Sequence, residues 1–285
     1  MMDYYMRARQ EVFELDFIKF EFCLDFQLND QLKAKWDSTV NQSRPLFSGD
    51  RLFRLSYRGD LVITVAQRID EKNVHFIHFK LPVCLRNVKE MKIARYFLEQ
   101  LFRCYFNEID FQNYVFVPEM IKLLFENDEI IKTQFNGHHT KLHYFEQTNV
   151  LDFAVNHLLI NELNINLINY KYPNQNDNKT LFNLLVNGGA RFTKIDYRFS
   201  RTRELFYSLI EYIETSTNCS NIVANIEFGG FESFNFNLNG RTKNKKKEGN
   251  ILSFEVNNIY NQKIKFLFKC WEYESGRVYR VQISG

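Results

Sequence analysis

Hydrophobic and polar positions change their period halfway through the stretch FNEIDFQNYVFVPEMIKLLF, which runs from Phe106 to Phe125. In its first half, Phe106, Ile109 and Phe111 are separated by polar residues, as expected for a half-buried strand. In its second half, apolar residues recur at helical spacing just after Pro118, a residue that suits the first turn of a helix. The stretch therefore predicts a strand followed by a helix.

The same strand pattern recurs along the chain, with helical patterns between the copies. The other predicted strand cores are Val88/Met91/Ile93, Ile160/Leu163/Ile165, Phe192/Ile195/Tyr197 and Val223/Ile226/Phe228, with a weaker copy around Ile130 and Phe135. The later copies lie roughly 30 residues apart, a period typical of stacked repeats that share one core. The pattern predicts an α/β fold of the irregular leucine-rich-repeat-like strand–helix solenoid type. The alternative is an ordinary α/β domain with a mostly parallel sheet.

Helix ends are marked by caps and glycines. Asn178 is expected to cap a helix, and the pair Gly188-Gly189 is expected to end that helix in a left-handed conformation. A last helix is expected to stop near residues 215–218, with an apolar stripe formed by Phe206, Leu209, Ile210 and Ile213.

Both ends of the chain read as short strands rather than as repeats. Residues 51–81 and 250–283 alternate in the manner of antiparallel β meanders, which would cap the open edges of a solenoid. The segment NGRTKNKKKEGN, residues 239–250, is expected to be an exposed loop. The predicted domains are an N-terminal β-rich cap with a helical start (1–85), the repeat region (86–230) and a C-terminal β cap with the basic loop (231–285).

Composition and charge narrow the class of protein. The chain is 45% hydrophobic and 25% charged, a mixture typical of soluble globular proteins. Its net charge of +3 does not require nucleic acid or an anionic membrane as a partner, and it lacks the roughly 18 consecutive apolar residues that would indicate a membrane span. The five cysteines are odd in number and form no CxxC pair, which predicts free thiols and an intracellular location, in the cytoplasm or nucleus.

No motif in the chain predicts an enzyme, a cofactor or a metal. The glycines lack the spacing of a phosphate-binding loop, and neither a nucleophile elbow nor HExxH is present. The nearest approach to a metal site is His138, His139 and His143 with Glu146 nearby. A zinc site needs three or four converging ligands, however, and this stretch reads as a loop running into a strand. We therefore predict a non-enzymatic protein, with a zinc enzyme as a remote alternative.

Strand alternation supplies candidate binding residues. If the apolar members of each strand face the core, their polar neighbours face outward. The candidates for partner binding are Asp110, Gln112, Asn164, Asn166, Asp196, Arg198 and Glu227. The alternative function is nucleic-acid binding by the basic loop, at Arg241, Lys243, Lys245, Lys246 and Lys247. That run lacks interleaved aromatic residues for stacking, and a solvated loop is its simpler interpretation.

Six stretches together carry a resemblance to a known family. They are DFQLNDQLKAKWDSTVNQSRPLF (25–47), LPVCLRNVKEMKIARYFLEQLFRCYF (81–106), VFVPEMIKLLF (115–125), LDFAVNHL (151–158), LIEYIETSTNCS (209–220) and FEVNNIYNQKIKFLF (254–268). These stretches resemble the divergent F-box-type proteins of plant-parasitic nematodes. In that family, an F-box recruits a Skp-type adaptor to a cullin–RING ubiquitin ligase, and the remainder binds the target. The resemblance implies a non-catalytic substrate receptor, with an unknown target protein and a Skp-type adaptor as partners.

The chain departs from that family at its start. Its first twenty-odd residues contain no Leu-Pro opening and leave no room for the packed helices of an F-box. No adaptor-binding residue is therefore carried over. What the resemblance implies for this chain is a protein-interaction module without a recognisable recruiting segment.

Overall fold

The computed structural model describes residues 3–9, 28–49, 60–68, 74–111, 114–126, 128, 131–144, 150–167, 175–198, 203–234 and 242–285. The chain divides into two compact units, Met1–Ile160 and Asn161–Gly285.

The first unit contains a mixed sheet with the strand order β4-β3-β1-β5-β7. Strands β1, β5 and β7 are parallel, while β3 and β4 continue the sheet in antiparallel pairing. Two further strands, β2 and β6, form a short antiparallel pair. The strands are β1 (Asp3–Arg9), β2 (Phe47–Gly49), β3 (Asp60–Arg68), β4 (Val74–Pro82), β5 (Tyr105–Phe111), β6 (Tyr114–Phe116) and β7 (Phe135–Tyr144), and the helices are α1 (Asp30–Asn41), α2 (Val88–Arg103), α3 (Pro118–Leu124) and α4 (Val150–His157).

A cluster of phenylalanine rings fills the core of this unit. Phe135 is fully buried, and its ring centroid lies 5.0, 5.7, 5.6 and 5.9 Å from those of Phe102, Phe111, Phe116 and Phe153. Edge-to-face and offset contacts at these distances stabilise a core beyond the area that they bury. Part of the high phenylalanine content of the chain therefore serves to pack this core.

A buried arginine anchors helix α3. Arg95 lies on α2 and is 4% exposed. Its guanidinium donates to the carbonyl oxygen of Leu124 (2.5 Å) and to the carboxylate of Asp128 (2.5 Å), and lies 4.6 Å from the ring centroid of Phe125. The charge is thus compensated where α3 ends, as a buried charge requires.

The second unit has a mixed sheet with the order β8-β9-β10-β14-β13-β12-β11. Strands β8, β9 and β10 are parallel, and from β10 onward the pairing is antiparallel. The strands are β8 (Leu158–Leu167, most of which belongs to this unit), β9 (Lys194–Arg198), β10 (Asn225–Phe234), β11 (Lys243–Glu248), β12 (Ile251–Asn257), β13 (Lys265–Glu272) and β14 (Val278–Ser284), and the helices are α5 (Gln175–Asn187) and α6 (Arg203–Thr215).

The predicted solenoid is wrong. In a solenoid, each repeat contacts only its neighbours in sequence. Here β14 returns from the end of the chain to pair with β10, and β1 pairs with β5 from the other end. The strands expected to form end caps are members of these sheets. Strand–helix alternation is common to solenoids and mixed α/β sheets, so local spacing cannot separate the two.

Some of the individual elements predicted from the sequence are present in the structure, and others are wrong. The predicted strands at Phe106–Phe111, around Leu163 and around Ile195 are present, as is Pro118 in the first turn of α3. The predicted strand at Val88/Met91/Ile93 is wrong because Met91, Leu98 and Leu101 belong to one longer helical stripe, that of α2. In the weaker copy, β7 begins at Phe135, and Ile130 lies outside the described residues.

Helix α5 ends where predicted, but its ends do not have the predicted cap and left-handed glycine. It begins at Gln175, so Asn178 lies inside the helix and is not its cap. Gly188 and Gly189 follow its end without a positive φ. A Cβ atom at Gly189 would lie 2.7 Å from the carbonyl oxygen of Ile222, so close backbone approach requires glycine there.

One buried asparagine fastens the loop after β12 to the end of α6. Asn258 is 1% exposed, and its side-chain Nδ2 donates to the carbonyl oxygens of Ile213 (2.8 Å) and Ser216 (2.7 Å). Its Oδ1 accepts from the backbone N–H groups of Tyr260 and Asn261, each at 2.9 Å. The amide thus satisfies groups on both elements.

We predict that Asn258→Ala lowers the free energy of unfolding by about 2–3 kcal/mol, because buried carbonyl groups lose their donor. Urea unfolding followed by circular dichroism measures the change. Asn221→Ala, at an exposed position, is the matched control and should shift stability by less than about 0.5 kcal/mol. Equal shifts in both variants would contradict a fastening role for Asn258.

Candidate partner-binding face

Parallel pairing in register brings five of the predicted binding residues onto one face of the second sheet. Asn164 lies opposite Asp196, and Asp196 lies opposite Glu227 on the next strand. In the adjacent row, Asn166 lies opposite Arg198. The residues that alternate with them along the strands are buried: Leu163, Ile165, Ile195, Tyr197, Ile226 and Phe228.

Charged groups on this face are connected into a network. The two carboxylates on neighbouring strands, Asp196 and Glu227, are each 8% exposed. Asp196 accepts from Asn164 Nδ2 (3.1 Å) and from Arg198 Nη2 (3.1 Å). Glu227 Oε1 lies 2.7 Å from Arg280 Nε. Each acid therefore has a cation of its own, which offsets the repulsion expected between like charges in cross-strand positions.

The electrostatics of Arg198 follow from this arrangement. Its hydrogen bond to Asp196 and the charge of that carboxylate raise the pKa of the Arg198 guanidinium, and the charge of Glu227 adds to them against a cost of desolvation. A Cβ atom at Gly229, the cross-strand neighbour, would lie 3.5 Å from Arg198 Cγ. The missing side chain at Gly229 thus leaves space beside the arginine stem.

Sequence reasoning missed two residues that complete the network. Arg280 on β14 is the cross-strand neighbour of Gly229 and of Trp271 on β13. Its guanidinium carbon lies 4.6 Å from the Trp271 ring centroid, which is cation–π geometry. The alternation in KFLFKCW and RVYRVQI marks both residues as outward-facing. Only the long-range pairing of β14 with β10 places Arg280 beside Glu227, with Trp271 against the arginine.

Helix α6 lies against the opposite, apolar face, and α5 contacts α6 through the rings of Phe182 and Tyr212. The ring of Phe206 on α6 packs 6.3 Å from Phe228 and 6.0 Å from Phe268. On the polar face, the side chains of Arg198 and Arg280 are 57% and 44% exposed. The face that carries the network is therefore open to solvent at both arginines. We call the set Asn164, Asp196, Arg198, Glu227, Trp271 and Arg280 the open face.

The remaining candidates of the interaction hypothesis lie elsewhere or outside the described residues. Asp110 is on β5 of the first unit, with its Oδ1 3.9 Å from His143 Nε2. The neighbouring acid on that strand, Glu108, pairs with Lys141 at 2.5 Å. Gln112 is outside the described residues. Asp110 is thus part of a separate charged group on the first sheet.

The basic segment is a strand rather than the predicted loop. Residues Lys243–Glu248 form β11, which pairs with β12, and all six are exposed. Lys247 Nζ lies 2.6 Å from Glu272 Oε2. Arg241 is outside the described residues. The cross-strand contacts with β12 override the low strand propensity of lysine and asparagine.

The histidine-rich stretch also folds as a strand, since His138, His139 and His143 all lie on β7. Among the residues that the structure describes, no group of three or more His, Cys, Asp or Glu is placed to hold a metal ion. Glu146 is outside that set. Within the described part of the chain, no helix has the length and apolarity to cross a membrane.

Comparison with known proteins gives a family but no activity. A family model described as Domain of unknown function (DUF8381) matches residues 19–168, more than half of the chain. The chain belongs to this family. No curated protein and no solved structure matches it. The matched segment includes Asn164, while the other residues of the open face lie beyond it.

The four cysteines that the structure describes show no sign of an activated nucleophile. Cys84, Cys104, Cys219 and Cys270 are free, and burial raises the pKa of each thiol. The charge of Glu272 raises the pKa of Cys270 further. A raised pKa keeps the thiol protonated at neutral pH, and the thiolate is the reactive form.

We therefore predict that iodoacetamide at pH 7 leaves Cys270 unmodified in the folded protein. Cys84 and Cys104, which are half-buried, should react slowly, and faster as the pH is raised toward their pKa. Mass spectrometry of the digested protein reports each site, with labelling in denaturant as the control. Rapid modification of native Cys270 would refute this assignment.

Proposed function

We propose that the chain is a non-catalytic protein-interaction module that binds its target through the open face. The observation that carries this proposal is the network across β8, β9, β10, β14 and β13, in which two nearly buried acids are held against two exposed arginines. The residue types on this face also suit binding, because Trp and Arg are enriched among the residues that dominate binding energy.

Pre-organisation supports a binding role for the two arginines. Binding normally costs the entropy of long side chains that become ordered in the interface. Arg198 is already held by Asp196, and Arg280 is already held between Glu227 and Trp271. Each guanidinium keeps donors that are directed to solvent, since an arginine has five N–H groups. A carboxylate or carbonyl group of a target can bind them with little further ordering.

The resemblance to F-box-type proteins adds a specific form of this proposal. In that form, the chain is a substrate receptor of a cullin–RING ubiquitin ligase, and the target on the open face is the protein to be ubiquitinated. An intracellular location, in cytoplasm or nucleus, belongs to the same proposal. The free thiols of the described cysteines support it, because disulfides are rare in reducing compartments.

Nucleic acid is the second candidate ligand, and the exposure of every residue of β11 is the observation that favours it. Phosphate contacts by lysine would give affinity that falls steeply with salt. The acids Glu248 and Glu255 lie among these lysines, however, and Arg280 covers the Trp271 ring that a base would need for stacking. Protein binding is therefore the better-supported function.

We predict that Arg198→Glu and Trp271→Ala each reduce capture of the target roughly tenfold, as loss of a dominant contact does. Tagged chains are used to capture proteins from the source cells, and quantitative mass spectrometry compares each variant with the wild type. Arg277→Glu is the matched control, because it reverses an exposed charge in the turn between β13 and β14. Circular dichroism verifies folding. If no captured protein depends on Arg198 or Trp271, the open face is not the binding site.

The ligase form of the proposal predicts a complex with a Skp-type adaptor. The two proteins are expressed together, and size-exclusion chromatography with light scattering measures the complex. A stable 1:1 complex is expected for a substrate receptor. If the adaptor elutes alone while the chain elutes folded, the chain acts as a binding module without ligase recruitment.

A further inference from the structure

The lysines of β11 differ in how far their charges are compensated. Lys247 is paired with Glu272 at 2.6 Å. Lys243 is the cross-strand neighbour of Glu255, whose carboxylate already accepts from Asn244 Nδ2 (3.0 Å) and lies 3.7 Å from Lys265 Nζ. Lys245 and Lys246 make no ion pair or hydrogen bond within the described part of the chain, and both are exposed.

A second exposed lysine lies in the same row of the sheet as Lys246. Lys246 pairs with Ser253, and Ser253 pairs in turn with Lys269 on β13. Lys269 is exposed and has no ion-pair partner among the described residues. Two strand spacings separate the two lysines, so their α-carbons are about 10 Å apart with the serine between them. We call Lys246 and Lys269 the lysine zone.

The lysine zone has the spacing of an acidic segment in the extended polyproline II conformation. This conformation has three residues per turn and a rise of roughly 3.1 Å per residue, so residues three apart lie on the same side of the chain and about 9 Å apart. Two carboxylates at that interval reach Lys246 and Lys269 together, and the Ser253 hydroxyl can donate to a group between them. The two positive charges lie about one Debye length apart at roughly 0.1 M salt, so a polyanionic segment that passes over the row is attracted by both.

We propose that the lysine zone binds an acidic segment of the target protein, next to the open face on the same sheet. The inference rests on the proposed function and names the chemistry of the target at this place. The row Lys246–Ser253–Lys269 continues to Gln282 and Glu227, so the zone borders the network. The acidic segment carries carboxylates separated by two residues and lies extended across β11, β12 and β13.

The test uses the full chain and a short fluorescein-labelled peptide of Glu-Ser-Thr repeats. Fluorescence anisotropy measures its binding to the wild type and to Lys246→Gln/Lys269→Gln. The matched control is Lys33→Gln/Lys89→Gln, which removes the same net charge at exposed positions of the first unit. The same repeat with Gln in place of Glu, and an oligothymidylate of equal charge, serve as competing probes.

We expect the Lys246/Lys269 variant to bind the acidic peptide roughly tenfold more weakly, as the loss of two exposed charge pairs implies. The control variant should bind the acidic peptide nearly as tightly as the wild type does. The Gln peptide should bind weakly to the wild type. The proposal is overturned if both double variants weaken binding equally, since net charge alone would then explain it. It is also overturned if the oligothymidylate binds more tightly than the peptide and depends on the same lysines, which would make nucleic acid the ligand.

This measurement can fail separately from the proposed function. It does not require the target, and the lysines that it tests lie outside the open face. If Arg198→Glu abolishes target capture while the acidic peptide does not bind the lysine zone, the open face is retained and only the acidic-segment proposal is overturned. If the acidic peptide binds the lysine zone while no captured target depends on Arg198, the acidic-segment proposal is retained and the open face is not the target site.

Discussion

The in-register parallel pairing of β8, β9 and β10 is the constraint on which the rest of the second unit depends. Strands place alternate residues on opposite faces, so a slip of one residue would exchange the core and the surface. The register fixes Leu163, Ile195 and Ile226 inside, beneath the helices, and it fixes the polar row outside. The same register therefore determines both the apolar core and the open face.

This register has an electrostatic consequence that the core alone would not require. It sets Asp196 directly beside Glu227, and both carboxylates are nearly buried. Their repulsion is offset on each side, by Arg198 from the same strand as Asp196 and by Arg280 from β14. Because Arg280 arrives from the end of the chain, the pairing of β14 with β10 is needed for the charge balance as well as for the fold.

Local sequence pattern predicts those elements whose period is unambiguous over their own length. Phe106, Ile109 and Phe111 alternate and form β5, and the stripe containing Phe206 and Ile213 forms α6. Long-range pairing leaves no comparable local signal. The solenoid prediction failed because nothing near Val223 indicates that β10 accepts β14 as its neighbour, and Arg280 and Trp271 were missed for the same reason.

The lysine-rich edge strand β11 has both a structural role in the sheet and a role in the proposed binding. An exposed edge offers unpaired backbone groups to other chains, and charged residues and bulges discourage such pairing. Strand β11 has both features, with a shift of register between Lys243 and Lys246 and a positive φ of 54° at Asn244. Four lysines on β11 also repel a second copy of the same edge. The same lysines attract a partner of opposite charge. The charges that discourage self-association would therefore also favour binding of an acidic segment.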